Sequence, residues 1–321
     1  MHGGLRPYAL VLGAATCWGL IGTAYALILR GIAINEVTVV FVRAATAFAL
    51  LLAFALVARR DLLRVRARDL PFLALFGLVT ITLFYVALIY AFQLTSVALA
   101  TVLLYLGPAF VTAGSALFLG ETIGRRKGLA LGVCLLGAAL VVEPWRGAGL
   151  RGDALGIALG LLSAVTYGSY SLLGKVGLRR HRPLTLLLYA LGFGTLGLLP
   201  VQLLAGSPLP PARTTLPLAL VTGIVITLLP LGLYTIGLNE LPSSTAAIIA
   251  TFEPVVAIGL SALVLRQFLT LPQLAGAALI IGGVIVLASG ERAANAERGA
   301  RGAAQDGNEC ASKSCASGKS W

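Results

Sequence analysis

The sequence predicts an all-α integral membrane protein with ten transmembrane helices arranged as two inverted five-helix repeats. Three observations carry that prediction. Of the 321 residues, 58% are hydrophobic and 11% are charged, against roughly 25% charged in soluble domains. Apolar runs near the 20-residue length that crosses a bilayer recur along the chain, and the mean hydropathy is +0.95. The chain also repeats itself at an offset of about 146 residues, with the basic loops on the opposite side in the second copy. Strands of a membrane barrel would be shorter and would alternate, so the class is a helical bundle.

The spans are expected at 8–29, 36–58, 71–92, 96–119, 126–144, 154–176, 184–205, 215–238, 243–265 and 271–289. The first is too long for a signal-peptide apolar core and is not broken by a small-residue cleavage site, so it is expected to stay in the mature protein. The second carries Arg43 among its apolar residues. The fourth and ninth contain Pro108 and Pro254, each of which removes a helix hydrogen bond. The tail 291–321 is poor in apolar residues and is expected to be disordered.

Lysine and arginine fix the expected orientation. With the N-terminus in the cytoplasm, that side carries 18 basic residues and the other side 5. This is a strong positive-inside bias, so both termini are expected in the cytoplasm of a multi-pass protein of the cell inner membrane. The net charge of +12 does not imply nucleic acid, because the basic residues lie between apolar runs and form no stripe.

The repeat is read from register. At an offset of 146, "LYLGPAFVTAGSALFLGE" (104–121) falls on "ATFEPVVAIGLSALVLRQ" (250–267), Gly77 on Gly223 and Gly137 on Gly283. An offset of 149 brings "TCWGLIG" (16–22) onto "TYGSYSL" (166–172), and so Trp18 onto Tyr167. Five is odd, so the second copy must enter the membrane upside down. The loops agree: "ARRDLLRVRARD" (58–69) and "GRRKG" (124–128) correspond to "AGSPLPPARTT" (205–215) and "TLPQL" (270–274), which together hold one arginine. The expected units are 1–145 and 152–290. Inverted repeats are the architecture of secondary transporters.

The motifs "LGPAFVTAGSALFLGE" and "FEPVVAIGLSALVLRQ" make the chain resemble the EamA domains of the drug/metabolite transporter superfamily, over about residues 8 to 290. The resemblance implies a ten-helix secondary carrier, often an exporter of amino acids, related metabolites or drugs, with a central cavity lined mainly by helices 1, 3, 4, 6, 8 and 9. Where the pattern has a glutamate at the end of the second motif, this chain has Gln267, which leaves Glu121 without a symmetric mate.

Several polar residues fall inside the membrane. Glu253 lies mid-span, about 15 Å from either face, where a charge costs roughly 2.5–3.5 kcal/mol on insertion scales. It is read as a substrate or coupling residue, with protons as a candidate coupling ion. The alternative is a protonated glutamate hydrogen-bonded to a neighbouring helix. Pro108 and Pro254 are read as helix breaks at the cavity. Arg43 sits about 10 Å below the outer face, either anchoring helix 2 to carbonyls or a carboxylate, or binding a substrate carboxylate. Trp18 and Tyr167 are expected on opposite walls of a pocket. Tyr85, Tyr90, Tyr105, Tyr170 and Tyr234 lie in spans expected to face it, with packing or interface roles as the alternative for each. Thr101, Tyr105, Thr245 and Ile249 are expected on cavity stripes. Glu121 is read as structural, paired with Arg125 four residues on.

No Walker A motif occurs, and His2 and His181 both lie in loops, so neither a nucleotide cofactor nor a metal is expected. A small-molecule solute and the lipid bilayer are the expected partners. A passive channel or facilitator and a membrane-embedded enzyme remain as alternative functions, and the second lacks the clustered His, Asp or Ser it would need. The sequence names neither the solute nor the oligomeric state.

Overall fold

The computed structural model describes residues 5–28, 34–145, 153–209, 211–266 and 268–289. Among them it has ten long helices and no strand: α1 (Arg6–Ile28), α2 (Glu36–Ala58), α3 (Ala67–Leu94), α4 (Val97–Leu119), α5 (Arg125–Val142), α6 (Ala154–Leu178), α7 (Pro183–Ala205), α8 (Ala212–Glu240), α9 (Ser243–Leu265) and α10 (Leu271–Ser289). Nine satisfy the length and apolarity expected of a membrane span. The tenth, α5, opens on Arg125, Arg126 and Lys127, whose charges belong at the membrane boundary. The tail 291–321 and Gln267 lie outside the described residues.

Local chemistry sets the helix ends. Asn35, Ser96 and Asp153 cap α2, α4 and α6 by accepting from the backbone N–H of Thr38, Leu99 and Leu155. α4 stops at Gly120, which takes the left-handed conformation (φ 68°) open to glycine.

The two halves pack by the same contacts twice over. α1 lies along α8 as α6 lies along α3, and α2 crosses α8 as α7 crosses α3. Three further pairs, α2 with α7, α4 with α9 and α5 with α10, join equivalent helices and so lie on the pseudo-two-fold axis. The α5–α10 crossing shows the symmetry residue by residue. A Cβ on Gly137 would sit 2.7 Å from the Gly276 carbonyl oxygen and 2.8 Å from Ile280. One on Gly283 would sit 2.6 Å from Cys134 Sγ and 3.2 Å from the Ala130 carbonyl oxygen. Residues 130, 134 and 137 map onto 276, 280 and 283 at an offset of 146, so these two sets of contacts are one contact seen from both sides.

Large apolar side chains such as Leu204, Phe118 and Leu263 stay 89%, 80% and 81% exposed on the outer surface. That is the expected face toward lipid, because lipid tails are as apolar as leucine and supply no drive to bury it. Association must then come from close packing, which the glycine crossings permit.

Gly137→Val and Gly283→Val are expected to destabilise the bundle by about 1–3 kcal/mol through overpacking. Gly132→Val and Gly282→Val, where a Cβ meets nothing within 4 Å, are expected to be near neutral. Thermal unfolding of the four purified variants checks this, and equal losses would refute the role of the crossing.

Candidate functional site

The site is built from interruptions in otherwise regular helices. α4 is broken between Val97–Leu104 and Gly107–Leu119, and α9 between Ser243–Ala250 and Glu253–Leu265. The two breaks coincide at the offset of 146. Each second segment begins with its proline, Pro108 or Pro254, at the second position, where the missing N–H costs nothing. The prolines thus start new half-helices rather than kinking continuous ones. Glu253 is the first residue of its half-helix, at the positive end of the helix dipole. The equivalent position in α4 is Gly107, and a side chain there would collide with the Tyr167 ring, 2.8 Å away.

α1 is also interrupted, with Leu20 between Arg6–Gly19 and Ile21–Ile28. A Cβ on Gly19 would fall 2.6 Å from Val256 and 2.8 Å from the Glu253 carbonyl oxygen. A Cβ on Gly168, the mate of Gly19 in the second half, would fall 3.1 Å from Val111 and 3.3 Å from the Gly107 carbonyl oxygen. Both broken helices are therefore approached by a glycine of the other half at the same level.

The third interruption is a widened π turn, Leu78–Leu83 in α3 and Val221–Leu228 in α8, again at matching positions. Such turns shift backbone groups out of the regular ladder. In α8, Thr227 Oγ1 bonds back to the Thr222 carbonyl at 2.8 Å, and the buried Arg43 is held against this turn. Arg43 Nε donates to Thr227 Oγ1 at 2.8 Å. Its terminal nitrogens donate to the Tyr25 hydroxyl (3.1 Å), the Tyr85 hydroxyl (2.9 Å) and the Ile226 carbonyl (3.4 Å). The guanidinium also lies over the Tyr85 ring, 5.2 Å from its centroid.

All four acceptors are neutral. The carboxylate that acts electrostatically on Arg43 is Glu253, and it also acts on Tyr85, Tyr105 and Tyr167. Glu253 makes no ion pair or side-chain hydrogen bond among the described residues, and it remains partly accessible. A buried cation from the first half and a carboxylate from the second thus interact electrostatically without forming an ion pair.

Aromatic rings surround this pair. Trp18 meets Tyr167 edge-on at 6.5 Å and Tyr234 at 5.4 Å, while Phe84 contacts Tyr85 at 4.7 Å and Tyr167 at 5.6 Å. Trp18 and Tyr167 are therefore not opposite walls. They are repeat mates in contact, which places both at the axis. Tyr234 turns its hydroxyl away to Ser171 Oγ (2.7 Å) and backs Trp18 with its ring. Tyr170 bonds Thr235 at 2.6 Å in the α6–α8 contact, and Tyr90 lies on the outer surface. Thr245 and Ile249 are wholly buried, because the first half of α9 is packed on all sides, so neither lies on an open stripe. Thr101 and Tyr105 keep partial exposure.

Glu121 does not pair with Arg125. Gly120 ends α4, so Glu121 stands outside any helix and caps α9. It accepts from the backbone N–H of Ser243 (2.6 Å) and Ser244 (3.2 Å) and from the Ser244 hydroxyl, with Lys127 Nζ at 3.9 Å. Lys175 Nζ closes the same end by donating to the carbonyls of Leu238 (2.8 Å) and Leu241 (2.7 Å) at the end of α8. Tyr25, Thr227 and Phe84 were not singled out in the sequence. Tyr25 follows the α1 break by one turn, the only local sign of its position.

Two inverted five-helix repeats, with broken helices and π turns meeting on their shared axis, define an inverted-repeat membrane transporter. The chain belongs to the EamA-like transporter family, whose profile matches residues 5–143 and again 154–289. It is 32% identical over 281 residues to an uncharacterized transporter of Archaeoglobus fulgidus, covering 87% of this chain and 94% of that one. It is 34% identical over 120 residues to the pseudopaline exporter CntI of Pseudomonas aeruginosa, covering 37% of this chain and 41% of that protein. A crystal structure with 18% identity superposes with a TM-score of 0.74 over 87% of this chain and 95% of the other, showing the shared fold.

Tyr85→Phe removes one neutral acceptor from Arg43 and is expected to cost about 1 kcal/mol. Arg43→Lys should cost more, because an ammonium cannot reach α1, α3 and α8 at once with the fork of a guanidinium. Thermal unfolding orders the two, and an Arg43→Lys protein as stable as Tyr85→Phe would contradict the three-helix tie.

Proposed function

We propose that the protein is a secondary active carrier that exports a small metabolite or drug across the inner membrane by alternating access, with Glu253 as the binding or coupling carboxylate. One observation carries this reading: Glu253 opens the second half of the broken α9 beside Gly19 of the broken α1, and neither it nor Arg43 belongs to an ion pair. Arginine stays charged, and four of its five N–H donors are already committed to neutral acceptors. An ionised carboxylate at this depth needs a partner, because burying an unpaired charge is costly. A proton, or a cationic group of the solute, supplies one and leaves when the cavity turns to the other side.

The uneven burial of the two ends supports alternating access. Of the segments nearest the arginine-rich loops, Ser243–Ala250 is buried throughout and Gly107–Leu119 buries six of its thirteen residues, Gly107, Pro108, Val111, Thr112, Gly114 and Ser115. The opposite segments, Val97–Leu104 and Glu253–Leu265, bury only Leu99, Ala100 and Pro254. We read this conformer as closed at the arginine-rich end, which the positive-inside rule assigns to the cytoplasm, with the Glu121–Ser243–Ser244 contact as its latch. The similarity to a pseudopaline exporter over 120 residues favours export.

In proteoliposomes challenged with a library of amino acids and drug-like cations, the wild type is expected to show saturable flux and countertransport. Glu253→Gln should keep fold and expression but lose pH-driven transport. Normal coupling in that variant would sink the role of Glu253, and flux that neither saturates nor exchanges would make the protein a channel.

Glu121→Ala removes the acceptor of two α9 N–H groups, a loss on the scale of a helix cap, about 0.5–2 kcal/mol. It should shift the balance toward opening at the arginine-rich end. A cysteine at Ile249, buried here, should then label faster with a water-soluble thiol reagent than in the parent, in a background cleared of Cys17 and Cys134. Unchanged labelling would refute the latch.

A further inference from the structure

The arginine-rich end carries charge that the transport site does not use. The stretch 58–69 holds five arginines and the stretch 177–183 three, against Asp61 and Asp69. Both carboxylates are spent locally. Asp61 accepts from Arg59 and from Arg182, which ties the end of α2 to the start of α7. The Arg59 hydrogen bond holds the Asp61 carboxyl below the usual carboxylate range. Asp69 lies 3.9 Å from both Arg180 and His181. Arg64, Arg66 and Arg68 make no ion pair among the described residues, and they line an open polar cleft of about 650 Å³ between these two loops.

α2 and α7 also wall a second, opposite kind of space at this end. Where α2, α7 and α8 converge, an apolar groove of about 400 Å³ opens on the outer surface, walled by residues such as Leu50, Phe54, Leu184, Leu228 and Gly232. Its α8 wall begins at Ile236, about 6 Å below the helix end, and reaches Leu228 at about 18 Å. That depth is acyl-chain depth, and the arginine cleft lies at headgroup depth at the same end of the bundle. Gly232 gives the groove its floor. A Cβ there would meet only Leu187 Cδ2 at 3.9 Å, so the space beside it is free.

We propose that this end of the protein binds an anionic phospholipid, with its phosphate in the arginine cleft and an acyl chain in the α2–α7–α8 groove. Charge complementarity selects the headgroup, since a basic pocket at the membrane boundary attracts anionic lipid. The groove selects a lipid over a free anion. Because α2 and α7 belong to different halves and both wall the groove, a lipid seated there touches both halves at the latched end.

The test is native mass spectrometry of the full chain titrated with phosphatidylglycerol or with phosphatidylcholine of equal chain length. Phosphatidylglycerol is expected to be retained in preference. R64Q/R66Q/R68Q should weaken its binding on the order of a hundredfold, each arginine near an anionic surface being worth roughly fivefold. Gly232→Leu should fill the groove and weaken phosphatidylglycerol while leaving thermal stability intact. Where the triple variant fails to unfold cooperatively, Arg66→Gln alone should give about a fivefold loss. Equal retention of both lipids, undiminished binding in the arginine variants, undiminished binding in Gly232→Leu, or displacement by inorganic phosphate alone would each overturn the proposal.

Discussion

Close backbone approach between helices is the constraint on which the rest of the structure depends. Inside a bilayer no hydrophobic force draws helices together, so contact must come from packing and interhelical hydrogen bonds. The Gly137–Gly276 and Gly283–Ala130 approaches supply it on the axis of symmetry, and Gly19 and Gly168 supply it at the broken helices. The same approach limits what can occupy the centre. Val256 and the Glu253 carbonyl leave no room for a side chain at Gly19, and the Tyr167 ring leaves none at Gly107. The site is what remains between surfaces that the packing has already fixed.

The membrane also explains why every interruption comes with a compensating partner. A freed backbone group has no water to turn to in hydrocarbon. At the end of the π turn of α8 the Ile226 carbonyl faces Pro230 four residues on, which has no N–H to give, and Arg43 donates to it and to Thr227. The break in α9 leaves Thr251, whose hydroxyl and N–H both return to the Ile248 carbonyl, at 2.5 and 3.2 Å. The interruptions that shape the site are therefore held by specific bonds.

Much of this was legible from residue order. Apolar run length located the ten helices, the shared register of 104–121 with 250–267 located the two breaks, and charge inside an apolar span singled out Arg43 and Glu253. What escaped was set by tertiary contact. Leu78–Leu83 carries no proline, and in α8 Pro217 and Pro230 flank Val221–Leu228 without lying in it, so residue order did not announce a π turn at either place. Tyr25 and Thr227 stand 18 and 184 residues from Arg43, and no periodicity links them. The pairing of Glu121 with Arg125 failed because helical spacing was assumed across Gly120, where the helix has already ended. The equivalence of Trp18 and Tyr167 was visible, but their contact follows only from the position of the axis.

The symmetry of the backbone is not matched by a symmetry of charge, and that difference gives the proposed transport cycle its chemistry. Glu253 corresponds to Gly107, Glu121 to Gln267, and Arg43 to Ala190, taking the α2-to-α7 offset at which Thr46 and Phe193 make equivalent contacts with Gly223 and Gly77. An inverted repeat can exchange the shapes of its two halves, so equal frames would give two end states of similar energy. With Glu121 capping α9 at one end, Glu143 accepting from Thr270 at the other and one carboxylate outside any ion pair at the centre, the two end states differ in what stabilises them. A ligand or proton shifts such an equilibrium by its difference in affinity between the states and by nothing else. On this reading the duplicated frame makes the change of access possible, and the three unduplicated charges make it responsive to what is bound.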